Sequence, residues 1–300
     1  MLDYSLLAAL ATVLREGSFE RAARSLHLSA SAVSQRIRLL EERVGQVLVQ
    51  RGPPCTGTEA GLRLARHAER VGMLEQDLLA ELPALAPDAQ GRITLRLAIN
   101  ADSLATWFIA AAAEIAASEP VLLDLSLEDQ EHTAERLRSA EVLAAVTALA
   151  APVQGCRSHA LGAMRYIATA SPAFARQHFA AGLTAQTLAA APCLSFNRQD
   201  RLQAQWVQQE LGQDLTLPTH WLPASQAFVD AACAGLGWGM NPASLVREAL
   251  ADGRLVALGA PLWVPLYWQA SRLALPMLER ITARVLAAAR ATLEPGSAPA

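Results

Sequence analysis

The sequence predicts an α-helical amino-terminal unit and a carboxyl-terminal α/β unit, with one long helix between them. Three observations carry that class. Residues 1–58 read as three short amphipathic helices and a hairpin. Glu59 to about Leu85 is one uninterrupted helical period. From Arg92 onward strands and helices alternate, which implies a parallel sheet with helices on its faces. The domain boundaries follow: 1–58, 59–90 and 91–300, the last with a first lobe of about 91–160 plus 270–293 and a second of about 161–269.

Residues 3–15 form the first helix, with Leu6, Leu10 and Val13 facing inward and Gly17 ending it. The second, Phe19 to Leu26, offers Phe19, Ala22, Ala23 and Leu26 as one apolar face, and His27 and Leu28 form a turn. Ser29 is the N-cap of the third, because its hydroxyl can accept from the free amides of the next turn. Val33, Ile37, Leu40 and Val44 then make one buried stripe. The opposite stripe is Ser31, Ser34, Gln35 and Arg38. Those groups can reach base edges and phosphates in a major groove about 12 Å wide; the alternative is the solvated face of an ordinary helical hairpin. Gly45 ends this helix, Val47 to Gln50 reads as a strand, and Arg51-Gly52-Pro53-Pro54 turns it toward a return strand that completes a wing. Arg51 is either a solvated charge or a phosphate clamp.

In the long helix Leu64, Ala68, Val71, Leu74, Leu78 and Leu82 recur every three or four residues, a stripe suited to a partner helix or to packing on its own domain. Beyond it, Ile93 to Ile99 is a strand, Leu104 to Ala117 a helix, Val121 to Leu127 a strand, His132 to Ser139 a helix and Val142 to Thr147 a strand. A second series begins at Tyr166 to Thr169 and runs through Leu188, Cys193 to Phe196, Ala204 to Leu211, Ser225 to Ala234 and Leu255 to Leu258. Leu266 to Gln269 reads as a return strand, Pro276 to Leu293 as a closing helix and Glu294 to Ala300 as a disordered tail.

Composition narrows the function classes. The 300 residues are 52% hydrophobic, much of it alanine, and all 25 basic residues are Arg. Net charge is −3, with only a slight basic excess before residue 60, so any nucleic-acid affinity must come from placed arginines rather than a broad basic field. Cys55, Cys156, Cys193 and Cys233 are far apart, with no CxxC pair, which reads as free thiols in a reducing cytoplasm. The opening apolar run follows Asp3 where a signal peptide carries positive charge, and the Ala-rich run near Phe108 is too short to span a bilayer. The expectation is a soluble cytoplasmic protein with no membrane partner. No GxxxxGK[ST] loop, GxSxG elbow or HExxH is present, and Gly235-Leu236-Gly237-Trp238-Gly239 follows a helix instead of a strand, so its glycines serve a turn. The expectation is no enzyme, no cofactor and no metal.

The words of the amino-terminal region are more specific than their pattern. Phe19-x-x-Ala22-Ala23-x-x-Leu26, then Ser31-Ala32-Val33-Ser34-Gln35-x-Ile37-x-x-Leu40-Glu41, Leu48-Val49-x-Arg51 and Thr56-x-Thr58-Glu59-Ala60-Gly61 resemble the amino-terminal winged helix-turn-helix of LysR-type transcriptional regulators. The resemblance implies double-stranded operator DNA as partner, read by Ser31, Ser34, Gln35 and Arg38 with Arg51 on phosphate. It also implies a linker helix paired antiparallel between subunits of a homodimer or homotetramer, RNA polymerase as a further partner, and a two-lobed effector domain shaped like a periplasmic solute-binding protein.

Later blocks resemble one subgroup more closely. Asn100-Ala101-Asp102-Ser103-Leu104-Ala105-Thr106-Trp107, Leu127-Glu128-Asp129-x-x-His132-Thr133, the Gly235–Gly239 block and Tyr267-Trp268-Gln269 are similar to the ArgP/LysG-like regulators, which control exporters of lysine and arginine. A basic L-amino acid is then the expected effector, in the cleft at the carboxyl ends of the strands. Ser103 and the amides after it would take its carboxylate, and Glu128 and Asp129 its positive charge. Asn100, Thr106, Trp107 and Thr147 would line the cleft from the first lobe, with Ser225 and Phe228 facing them from the second. Without the resemblance, Ser103 reads as a plain N-cap and Glu128-Asp129 as a solvated loop. Gln130 stands where the subgroup commonly carries Glu, and an amide there broadens the response toward neutral amino acids. The alternatives are a LysR-type regulator with another small organic effector, a solute-binding protein, or a metabolic enzyme on the same scaffold.

Overall fold

The computed structural model describes residues 2–82, 92–127, 130–272 and 276–295. The chain forms two compact units, one amino-terminal and reaching to Leu95, the other taking most of the chain from Arg96 on.

The amino-terminal unit holds α1 (Tyr4–Glu16), α2 (Phe19–Ser25), α3 (Ala30–Val44), the strands β1 (Val49–Gln50) and β2 (Thr56–Gly57), and α4 (Glu59–Glu81). Each helix starts on a side-chain cap: Asp3 accepts from Ser5 N, Ser18 from Arg21 N, Ser29 from Ala32 N and Thr58 from Gly61 N. Gly17 and Gly45 end α1 and α3 in the left-handed region, as their spacing predicts. His27, in the turn before α3, also takes positive φ, 53°. Leu6, Leu10, Val13, Ala22, Val33, Ile37, Leu40 and Leu48 are buried together as one core.

The hairpin is shorter than the sequence predicts, because its approach is held by side chains instead of a ladder. Glu41 Oε1 accepts from Leu48 N at 2.8 Å, and Thr58 Oγ1 donates to Val47 O at 2.9 Å. A Cβ at Gly61 would lie 2.0 Å from Leu48 O, so only glycine lets α4 begin this close to the hairpin. The apolar stripe of α4 divides in two. Leu64 and Ala68 pack on the helical core, whereas Leu74, Leu78 and Leu82 are exposed.

From Ile93 onward the elements are β3 (Ile93–Ile99), α5 (Ala101–Thr106), α6 (Phe108–Ser118), β4 (Val121–Leu127), α7 (Gln130–Arg138), β5 (Ala144–Thr147), β6 (Cys156–Ala170), α8 (Pro172–His178) and α9 (Ala185–Ala190). There follow β7 (Cys193–Ser195), α10 (Leu202–Leu211), β8 (Thr219–Trp221), α11 (Ser225–Cys233), β9 (Gly239–Pro242), α12 (Ala243–Ala251), β10 (Val256–Ser271) and α13 (Pro276–Thr292). Six strands form one sheet in the order β4-β3-β5-β10-β6-β9, and β7 and β8 a separate parallel pair. β3 and β5 run parallel, while β10 runs antiparallel to both β5 and β6. The two long strands therefore serve both ends of the sheet: Tyr267–Ala270 of β10 pairs β5, and Tyr166–Thr169 of β6 pairs β9.

Four expectations change. The single helix over 104–117 is two helices that meet at Trp107, where the Thr106 hydroxyl donates to Asp102 O at 2.6 Å in competition with the helical ladder. The strands expected at Leu255–Leu258 and Leu266–Gln269 are one strand of 16 residues, which shifts register between Leu258 and Leu262, around Gly259 and Pro261. Tyr166–Thr169 is the end of a strand of 15 residues whose polar start, Arg157-Ser158-His159, hides it from a hydrophobic pattern. Glu294, assigned to a disordered tail, exchanges backbone hydrogen bonds with Ala163 at 2.9 and 3.1 Å, and its carboxylate accepts from Trp263 Nε1 at 2.7 Å. Residues 296–300 of that tail lie outside the described residues.

Candidate functional site

Two surfaces matter. On α3, Ser31, Gln35 and Arg38 are exposed and Ser34 is half-buried, opposite the buried Val33, Ile37 and Leu40. Arg38 pairs with Glu42 at 3.0 Å on the same face. Arg51, at the end of β1, lies with its guanidinium 5.0 Å from the centre of the Phe19 ring and donates to Ser34 Oγ at 3.3 Å. The wing-side cation is thus held against the polar stripe of the third helix by contacts from two helices, which orders a long side chain in advance.

The second surface is a cavity of about 340 Å³, within the larger unit. That lies near the lower end of the ~300–1,000 Å³ usual for small-molecule sites. Its walls come from the start of α5 (Asn100, Asp102), the turn after β5 (Ala148, Leu149), the end of β6 (Tyr166), the loop before α10, the first turn of α11 (Ser225, Phe228) and β9 (Asn241). Gln269 fixes one wall: from β10 it donates to Leu149 O at 2.9 Å and Ala151 O at 3.0 Å and accepts from Val153 N at 2.8 Å.

The polar lining includes two acids, Asp102 and Asp200. Asp102 accepts from Ser225 Oγ at 2.6 Å and from Tyr166 Oη at 2.7 Å. Burial pushes its carboxyl above the usual carboxylate range; the two hydroxyls oppose that shift, and the charge of Asp200 adds to it. Burial also raises the Tyr166 phenol well above its ordinary value, helped by Asp102, so Tyr166 stays a donor. Asp200 is differently engaged: it accepts from Ser195 Oγ, Phe196 N and Leu202 N at 3.1, 2.9 and 3.0 Å and so shapes the loop that enters α10. The Oδ1 atoms of Asn100 and Asn241 are buried without a hydrogen-bond donor. Among the described residues Arg201 is the basic member of the lining, and it is exposed. No group of three or more His, Cys, Asp or Glu among the described residues is placed to hold a metal ion.

Of the residues expected at the effector site, Asn100, Ser225 and Phe228 line the cavity. Ser103, Thr106, Trp107 and Thr147 do not. α5 begins earlier than expected, with Asn100 at the N-cap, so Ser103 is its third residue, fully buried with a hydroxyl that has no partner. Thr106 is turned back on its own helix, and Trp107 is buried edge-on against Phe108. Thr147 stands one step behind the wall, accepting from Leu149 N at 3.2 Å. Glu128 and Asp129 lie outside the described residues. Sequence reasoning missed Asp102, Tyr166, Asn197, Asp200, Arg201 and Asn241. Asp102 stood within a block already singled out, whereas the segments that carry Tyr166 and Asn241 come side by side only through the pairing of β6 with β9, Tyr166 opposite Pro242 and Ile167 opposite Asn241.

Comparisons with known proteins match both the helix-turn-helix and the α/β unit. The model of the bacterial regulatory helix-turn-helix protein, lysR family, matches residues 4–62, and that of the LysR substrate binding domain matches residues 88–294. The chain belongs to the LysR family. It is a DNA-binding transcription regulator of the ArgP/LysG kind and not an enzyme. It is 48% identical to the HTH-type transcriptional regulator LysG of Mycobacterium tuberculosis over 289 residues, 96% of this chain and 94% of that protein. The crystal structure of ArgP from Mycobacterium tuberculosis matches with a TM-score of 0.78 at 46% identity, covering 99% of this chain and 100% of that one. Full-length LysG from Corynebacterium glutamicum with bound effector Arg matches with a TM-score of 0.67 at 37% identity, covering 98% and 100%. No described helix of this LysR-type chain is long and apolar enough to cross a membrane.

Proposed function

We propose that this LysR-type regulator senses a basic L-amino acid, arginine or lysine, and controls an amino-acid exporter or a related gene. The observation that carries the reading is the pair of acids on the cavity wall. Asp102 and Asp200 line it against one basic residue, the exposed Arg201, a set that suits a ligand carrying positive charge. The arginine held by the Corynebacterium glutamicum relative supports the same class. Asn100, Ser225 and Phe228 would contact the ligand, with Glu128 and Asp129 as further acids. Operator DNA is read by Ser31, Ser34, Gln35 and Arg38, with Arg51 on phosphate.

The division into 1–58, 59–90 and 91–300 assigns reading, pairing and sensing to successive parts of the chain. Leu74, Leu78 and Leu82, exposed on α4, suit a second copy of that helix, so the working form is a homodimer or a homotetramer that offers two reading helices to two half-sites. As a regulator of transcription it works in the bacterial cytoplasm, beside RNA polymerase. Footprinting of the genomic fragment upstream of the neighbouring gene, with and without 1 mM-scale arginine, lysine or leucine, tests the reading. A footprint that arginine or lysine changes and leucine does not is expected; one indifferent to all three would overturn it.

A further inference from the structure

We infer that Asp102 is the residue that selects a positive charge on the effector's side chain. The inference rests on reading the cavity as a basic amino-acid site and adds the group that makes it so.

The two carboxylates of the described lining differ in what they have left to give. Asp200 is spent on its own loop, with Ser195, Phe196 and Leu202 on its two oxygens. Asp102 carries one neutral hydroxyl on each oxygen, Tyr166 on Oδ2 and Ser225 on Oδ1. A carboxylate has about four lone-pair sites, so two remain open, enough for the parallel N–H pair of a guanidinium or for one ammonium. Among the described residues no ion pair compensates Asp102; the groups acting on it are Ser225, Tyr166 and the like charge of Asp200. A half-buried carboxylate beside a like charge and without a cation is costly to the free protein, and a ligand that brings the cation removes that cost. The basic lining residue, Arg201, is exposed and is not among the groups acting on Asp102. It suits the carboxylate of an α-amino acid, which leaves the far, side-chain charge for Asp102. Tyr166 and Ser225 favour the ionised form by hydrogen bonding without neutralising it.

Titration calorimetry of the full chain with arginine and with its neutral isostere citrulline tests this, in the wild type, Asp102→Asn and Asp102→Ala. The wild type is expected to prefer arginine by about 30-fold or more, since citrulline leaves the half-buried carboxylate unpaired. In Asp102→Asn the preference should collapse to within about threefold, through lost arginine affinity and kept or improved citrulline affinity. Asp102→Ala also removes the charge and should lose the preference alike, which guards against an Asn variant that does not fold. An unchanged arginine preference in folded Asp102→Asn or folded Asp102→Ala overturns the inference. A wild type that binds neither arginine nor lysine overturns the underlying reading instead.

Discussion

Ser225 Oγ donates to Asp102 Oδ1 at 2.6 Å and ties the first turn of α11 to α5 across 123 positions of sequence. Both residues line the cavity, and the same carboxylate is held from β6 by Tyr166. This half-buried acid thus gathers three separate elements around the cavity. A ligand that engages it acts on the packing of all three, which gives this effector domain a physical handle on its own conformation.

The stability of the free protein should record this acid. Asp102 has a raised native carboxyl, so between the ordinary value of 3.8 and the raised one the folded chain binds more protons than the unfolded chain. Stability therefore falls as pH rises through that window, and the penalty is complete above it. The groups that face Asp102 are Tyr166, which stays neutral, and Asp200, whose charge works in the same direction. Without ligand, Asp102→Asn should melt higher than the wild type at pH 7, with the gap closing toward pH 4.5. Thermal denaturation of both proteins across that range checks it; a variant that melts lower at pH 7 by as much as at pH 4.5 speaks against an ionised, uncompensated Asp102.

Arginine binding should depend on pH with the opposite sense. The ion pair needs ionised Asp102, so affinity weakens as pH falls toward its raised carboxyl value, and Asp102→Asn should flatten that dependence. Calorimetric titrations at pH 5 and pH 7.5 measure it; equal slopes for wild type and variant would be the contrary result.

On the proposed reading, DNA recognition divides between α3 and Arg51. Gln35→Ala should cost about 1–3 kcal/mol on the operator and little elsewhere, if its exposed amide pairs a base. Arg51→Ala should weaken binding to all sequences alike and flatten the salt dependence. Phe19→Ala removes the ring beneath the Arg51 guanidinium and should produce a weaker form of the same effect. Affinities measured on operator and unrelated DNA at two salt concentrations separate the three; unchanged affinity for both Gln35→Ala and Arg51→Ala would remove α3 and the wing from the interface.

Assembly should depend on the outer leucines of α4. Leu78 is 51% exposed in the single chain, so Leu78→Asp costs the monomer little but places an unpaired charge in the interface expected between α4 helices. Sedimentation should move from a multiple of 31.9 kDa toward that mass. A folded variant that keeps the wild-type mass would move the interface elsewhere.

The helical amino-terminal unit was legible in the sequence because its signals are local. Ser29, Gly17 and Gly45 act within one turn of the helix they cap, and Val33, Ile37 and Leu40 repeat at helical spacing. The cavity was legible only in part. Ser225 and Phe228 sit at the start of a helix that pattern alone places, but Tyr166 lies on a strand whose polar beginning hides it, and it comes within 2.7 Å of Asp102 only through the sheet. Asp102 was passed over for Ser103 because the start of α5 was placed too late. With the cap at Asn100, Ser103 falls in the core and Asp102 on the cavity wall.

The account stands or falls on the charge of the ligand. Calorimetric titration of the full-length wild-type chain with arginine, lysine, glutamine and leucine tests it most directly. The account predicts saturable binding of arginine or lysine, with glutamine and leucine weaker by about 10-fold or more. Tight binding of glutamine or leucine, with none of arginine or lysine, would contradict it.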